Sequence, residues 1–167
     1  TLLKMNTSET LGHVLELVMA NENEIDLVLA TGDIAQDASD EAYANFLEII
    51  ATLKSPFRWI PGNHDNAVVM DRLAEGTGAS EKTAQLNNWL IILLDTSILG
   101  QVHGKLAKKE INFLTSVLRA AERDDTIEHC LITMHHNPVP GNSAWMKDIG
   151  LENGEKFFEA IKISKKV

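Results

Sequence analysis

A chain of 167 residues, 44% hydrophobic and 23% charged, can bury one core and is not a disordered sequence. With 15 Lys and Arg against 24 Asp and Glu, the net charge of −9 argues against a general nucleic-acid backbone binder. A small anionic substrate stays open, because a metal ion can supply positive charge on an acidic protein. The one cysteine, Cys130, excludes an internal disulfide, and no apolar run nears the roughly 20 residues that cross a bilayer.

The apolar residues Leu11, Val14, Leu15, Val18 and Met19 fall on one helical face, with Thr7 or Ser8 as N-cap. Ile25 to Ala30 is predicted as a strand buried on both faces, ending at Thr31-Gly32-Asp33. Ser39 caps a second predicted helix that turns Tyr43, Phe46, Leu47 and Ile50 inward. Phe57 to Ile60 is the next strand, stopped by Pro61-Gly62, and a short helix covers Val68 to Ala74. Asn87-Asn88 predicts a hairpin feeding the apolar run Trp89 to Leu94. A long amphipathic helix carries Leu114, Val117, Leu118 and Ala121; Cys130 to Met134 is another strand, and Phe157, Phe158 and Ile161 open a last helix. Alternating strands and helices with no linker or repeat predict a single α/β domain over residues 1–167.

Three predicted strands end in metal-donor types: Gly32-Asp33, Gly62-Asn63-His64-Asp65 and His135-His136. Ligands of α/β sheets bind at the carboxyl ends of strands, and Asp, Asn and His suit divalent Mn, Fe or Zn. A glycine before Asp33 and before Asn63 allows the sharp turn that would let the next side chains converge. Each cluster alone also reads as an ordinary turn or helix cap; three together are harder to explain that way. His13 reads as a polar helix-face residue, His103 as a loop residue, His129 as a solvated ring and Cys130 as core rather than nucleophile.

The motifs Ala30-Thr31-Gly32-Asp33-Ile34-Ala35-Gln36-Asp37, Trp59-Ile60-Pro61-Gly62-Asn63-His64-Asp65, Leu94-Asp95-Thr96 and His135-His136-Asn137-Pro138-Val139-Pro140 resemble those of the calcineurin-like metallophosphoesterases. Within that superfamily the resemblance is to the bacterial cyclic 3′,5′-AMP phosphodiesterases, and it runs over essentially the whole chain. The fold it implies is a β-sandwich flanked by helices in four αββα layers. Also implied are two divalent metals, iron or manganese with zinc as an option, about 3.5–4 Å apart and activating a shared water. By position, Asp33 resembles the carboxylate bridging both metals, while Asn63 and His135 resemble ligands of the second. His135 is preferred to its neighbour His136. His64 resembles the histidine that binds phosphate and protonates the leaving oxygen, and Asp65 would orient it.

What the resemblance implies is phosphodiester hydrolysis, cyclic AMP to AMP, on a small-molecule cyclic nucleotide in the cytoplasm, with no nucleic-acid or membrane partner. Another phosphoester substrate, such as a phosphomonoester or glycerophosphodiester, is the alternative, and a non-catalytic scaffold on the same fold is a third reading. The family's opening Asp-x-His and late Gly-His-x-His are not in these residues, which removes four metal ligands. The chain therefore reads as a partial domain, without its first strand and C-terminal part.

Overall fold

The computed structural model describes residues 5–146 and 148–167. Helix α1 (Thr7–Asn21) is capped one residue before the predicted Thr7 or Ser8, by Asn6, whose side chain accepts the Glu9 N–H. Of its apolar face only Leu15 is buried; Val14 and Met19 are 50% and 46% exposed. Strand β1 (Val28–Ala30) leads to α2 (Asp40–Ile50), which Ser39 caps as predicted by accepting the Ala42 N–H at 3.2 Å. Strand β2 (Phe57–Trp59) follows and pairs in parallel with β1, Leu29 opposite Arg58. Helix α3 (Ala67–Leu73) is capped by Asn66.

The predicted hairpin forms from β3 (Thr83–Leu86) and β4 (Trp89–Leu93), paired antiparallel. Asn87 takes the left-handed conformation that a tight hairpin turn requires, with φ of 52°. Helix α4 (Lys108–Ala121) then carries the chain to β5 (His129–Thr133), which pairs in parallel with β4. Helix α5 (Gly154–Ile161) packs on α4. The described residues thus hold a parallel pair, β1-β2, and a mixed three-stranded sheet in the order β3-β4-β5. Helices and sheets alternate as the sequence predicts.

Three cores bind these parts. Leu114 and Leu118 of α4 are fully buried with Ile92 and Leu94, and Phe157 is buried beside them, each such side chain stabilising the fold by roughly 1.5–3 kcal/mol. Tyr43, Trp59 and Met70 form a second core joining α2 and α3 to β2. Ile60, Ile91 and Leu93 form a third, against which Leu27 and Leu29 pack, so that the two sheets meet.

One expectation fails in part. The strand predicted over Ile25 to Ala30 is not buried on both faces: the three residues of β1 are all half-buried. The physical reason is an apolar groove beside it, lined by Leu15, Val18, Leu27, Leu29, Ile91 and Leu131, which leaves one flank of the strand open.

Candidate metal centre

The carboxyl ends of β1, β2 and β5 meet at one junction. The Ile60 N–H donates to the Ala30 carbonyl at 3.0 Å, extending the β1-β2 ladder to the turns beyond it. Gly32 (φ +104°) follows, and a Cβ there would lie 2.7 Å from the Gly62 nitrogen and against His135 Nδ1. A Cβ on Gly62 would run into the Asp33 side chain and lie 2.8 Å from His135 Cε1. The two glycines are therefore space-makers: without them the β1 turn, the β2 turn and the His135 ring could not approach.

Asp33 itself sits in the left-handed region, φ 55°, a strained position for a side-chain-bearing residue that costs on the order of 1 kcal/mol. Its Oδ1 accepts the His64 N–H at 3.2 Å and lies 3.4 Å from His135 Nε2. The other ring nitrogen of His135, Nδ1, meets the Thr31 carbonyl at 2.9 Å. A carbonyl only accepts, so Nδ1 carries the proton and Nε2 of the neutral ring presents its lone pair to the carboxylate. Two acceptors facing each other are relieved by a cation or a proton between them. A histidine with one nitrogen tied to a backbone carbonyl and the other free is the form in which imidazole binds metals.

The donor chemistry of Asp33 and His135 therefore fits a divalent metal, and Asn63 stands half-buried immediately after Gly62, with an amide oxygen as a further donor type. Among the described residues no three His, Cys, Asp or Glu side chains gather at one point. What this chain supplies is a partial ligand set.

The neighbours divide into structural and free groups. Asp65 is buried, and its carboxylate accepts four donors: the N–H groups of Ile34, Ala35 and Gly62 at 3.1, 3.0 and 2.9 Å, and the Tyr43 hydroxyl at 3.2 Å. That arrangement clamps the β1 turn to the β2 turn. No hydrogen bond joins Asp65 to the His64 ring among the described residues; His64 Nδ1 instead meets Gln36 Nε2 at 2.9 Å. Tyr43 accepts the Asn66 N–H at 2.8 Å, and burial pushes its hydroxyl pKa up to about 12.

His136 stands apart from its neighbour. It is 2% exposed, its Nδ1 is 2.7 Å from the Thr96 hydroxyl, and its ring fills the space over Gly104. Burial, and next the adjacent His135, push its pKa down to about 4. His136 thus joins β5 to the turns after β4, while His135 alone of the pair faces Asp33. His13 is exposed, His103 lies 3.8 Å from Glu152, His129 packs at a tilt against the Trp89 ring, and Cys130 is buried. Sequence reasoning gave no part to Thr31, Gln36 or Tyr43; a Gln three residues after Asp33, inside the quoted motif, was the available signal for one of them.

Residues 6–163 match the calcineurin-like phosphoesterases. The chain belongs to that family. Its members generally bind two divalent metals. The chain is similar to the 3′,5′-cyclic adenosine monophosphate phosphodiesterase CpdA of Pseudomonas aeruginosa, 39% identical over 160 residues, 96% of this chain and 57% of that protein. It is 36% identical to the protein of the same name in Escherichia coli K12, over 91% of this chain and 54% of that one. A 3′,5′-cyclic-nucleotide phosphodiesterase of Nostoc sp. is 34% identical over 94% of this chain and 58% of its own length. The chain spans somewhat more than half the length of these curated relatives. Among the described residues no helix is long and apolar enough to cross a membrane.

Proposed function

We propose that this chain carries one part of a divalent-metal phosphodiesterase site whose substrate is a cyclic nucleotide, cyclic AMP first, hydrolysed to AMP. The observation that carries the reading is the pairing of Asp33 Oδ1 with His135 Nε2 at 3.4 Å, with Nδ1 held by Thr31. The relatives' names favour a cyclic phosphodiester over the phosphomonoester and scaffold readings.

Asp33, Asn63 and His135 would hold metal here, iron or manganese with zinc as an option. When bound, such ions polarise phosphoryl oxygens and lower the pKa of a nearby water. Asp33 also has a second task, since its Oδ1 holds the His64 backbone N–H and so fixes the turn that presents the ring. In the reaction a water oxygen bonds to phosphorus and releases one of its protons, the bond from phosphorus to the 3′ oxygen breaks, and that oxygen takes up a proton. His64, exposed at the junction, is assigned the hydrogen bond to phosphate and the delivery of that proton. Asp65, by this geometry, serves through the clamp rather than by touching substrate. A cytoplasmic setting belongs to the same proposal and agrees with the lone, buried Cys130.

The test is hydrolysis of cyclic AMP, of a chromogenic phosphodiester and of a phosphomonoester by a protein carrying this chain with added Mn²⁺, Fe²⁺ or Zn²⁺. Cyclic AMP turnover that disappears with a chelator and returns with metal is the expected result. Turnover of the monoester alone would reassign the substrate, and no metal-dependent turnover of any of the three would remove the enzyme reading.

A further inference from the structure

Beside the metal junction opens a pocket of about 400 Å³, to which Asn63 and Val68 come from the β2 turn and α3, and Ile98 and Leu99 from the turn after β4. Both walls stand on backbone that is fixed without them. On one side the Asn66 side chain accepts the N–H groups of Val68 and Val69, and the Tyr43 hydroxyl accepts the Asn66 N–H. On the other, Ser97 donates its N–H and its hydroxyl to Asp95 Oδ1 at 2.8 and 2.7 Å, and the Ile98 carbonyl accepts the Gln101 N–H at 3.0 Å. Gly100 has φ of +73°, as the third position of a type II turn requires, so Leu99 is held at the corner of that turn. Leu99 is 90% exposed and Val68 77%, so neither serves the core. The polar oxygens next to them are already spent: Asn66 on the helix cap, Asp65 on the clamp and Ser97 on Asp95. One exposed apolar side chain is ordinary, whereas two from separate elements on one opening beside a metal-donor residue form a ligand surface.

We infer that this pocket takes the purine base of the cyclic nucleotide, with Val68 and Leu99 as the residues that select it; the inference deepens the phosphodiesterase reading and rests on it. Asn63 belongs both to the donor set and to the pocket, so a phosphate held at the junction has its substituents within reach of the apolar walls. In a 3′,5′-cyclic nucleotide the phosphate is fused to the ribose, and the base therefore stands at a short, nearly fixed distance from phosphorus. The base is also the one flat, uncharged and largely apolar part of that molecule. Phosphate oxygens and the ribose hydroxyl would lose hydration against Val68 and Leu99 with no hydrogen bond in return. A second opening, by the turn after β5, is lined by His103, Asn137, Asp148 and Glu152 and offers carboxylates in place of apolar surface. The base belongs on the Val68 and Leu99 side.

Leu99→Ser and Val68→Ser test this, since side chains so exposed contribute little to the fold. In an active protein carrying the chain, kcat/KM is compared for cyclic AMP and for 1-deoxyribose 3′,5′-cyclic phosphate, the same diester without its base. The parent is expected to prefer cyclic AMP by about 10-fold or more. Each substitution is expected to reduce that preference about 3–10-fold, the loss of one or two buried methyl contacts. A preference that neither substitution alters would overturn the inference. Absence of metal-dependent turnover of both diesters would remove the phosphodiesterase reading instead, and the pocket is then decided by binding alone. For that measurement adenosine, which carries no phosphate and needs no metal, is added at millimolar concentration while the methyl resonances of Val68, Ile98 and Leu99 are followed. Saturable shifts at these methyls that ribose does not cause are expected, with affinity about 3–10-fold weaker in Leu99→Ser, read at Val68 and Ile98. Adenosine that shifts none of them, or only methyls elsewhere in the chain, would overturn the inference.

Discussion

The Asp65 carboxylate reaches across 31 residues of sequence to accept the Ile34 N–H at 3.1 Å, with Ala35, Gly62 and Tyr43 on its remaining lone pairs. An acceptor with four donors is at once a stability element and the register pin of the metal junction. Asp65→Asn replaces one acceptor oxygen with an N–H donor, so at least one backbone N–H faces another N–H in a buried site. Such a substitution is expected to cost about 2–4 kcal/mol. Urea denaturation of this chain measures it, and a loss under about 0.5 kcal/mol would show that the clamp is not what joins the two turns.

Tyr43 extends that clamp, donating to Asp65 and accepting from Asn66. Burial raises its pKa to about 12 from an ordinary value near 10, so the folded state binds this proton more tightly than the unfolded chain. The corresponding stabilisation is complete below about pH 10 and is lost as pH rises through about 12. Tyr43→Phe is expected to cost about 1–2 kcal/mol at neutral pH, because the Asn66 N–H loses its acceptor and Asp65 one donor. The stability gap between parent and variant should then narrow from pH 10 to pH 12. A gap that widens over that range would reverse the assignment.

How much of this could be read from the residues divides along physical lines. The hairpin at Asn87, the cap at Ser39 and the amphipathic α4 follow from local chemistry, and the structure forms them where the sequence points. The meeting of Asp33 with His135 was legible because strand ends in layered α/β folds share one edge. Less legible was the fate of polar side chains whose partners are far along the chain. Asp65 and His136 look like members of reactive motifs, yet one is spent on backbone N–H groups and the other on Thr96. Nothing local to Gln36 announces His64 as its neighbour, since the contact exists only once two turns are pinned together. The open flank of β1 was also hidden, because a run such as Ile25 to Ala30 states that it is apolar, not what covers it.

Gly62 offers a test of the junction that leaves every donor in place. Its Cβ would collide with the Asp33 carboxylate and lie 2.8 Å from the His135 ring, so the β2 turn must move away from both. Gly62→Ala is expected to weaken divalent-metal binding at least about 10-fold, as outer positioning changes do at metal sites. Calorimetric titration with Mn²⁺ or Zn²⁺ measures it. Unchanged affinity would mean that Asp33 and His135 do not bind metal as a pair.

Metal stoichiometry provides the sharpest separation of roles among the motif residues. Asp33 and His135 face one another, Asn63 adds an amide oxygen type beside them, and among the described residues no further His, Cys, Asp or Glu completes the set. Three protein donors with water in the remaining positions can hold one divalent ion weakly, whereas a single shared carboxylate cannot hold a second selectively. This chain is therefore expected to bind about one ion, and to lose it on dialysis against a chelator. Asp33→Asn and His135→Ala should each reduce that binding about 10-fold or more, because each removes a donor. His64→Ala should leave it within about 2-fold, since the ring of His64 is engaged by Gln36 and its backbone, not its ring, touches Asp33. In an active protein carrying the chain, the same His64→Ala change should lower cyclic AMP turnover by about 100-fold or more, the usual scale for a lost general acid. Elemental analysis after dialysis and a hydrolysis assay decide between the roles. Equal metal loss in the Asp33 and His64 variants would place His64 among the ligands, and two tightly held ions per chain would show that residues outside this junction complete a second site.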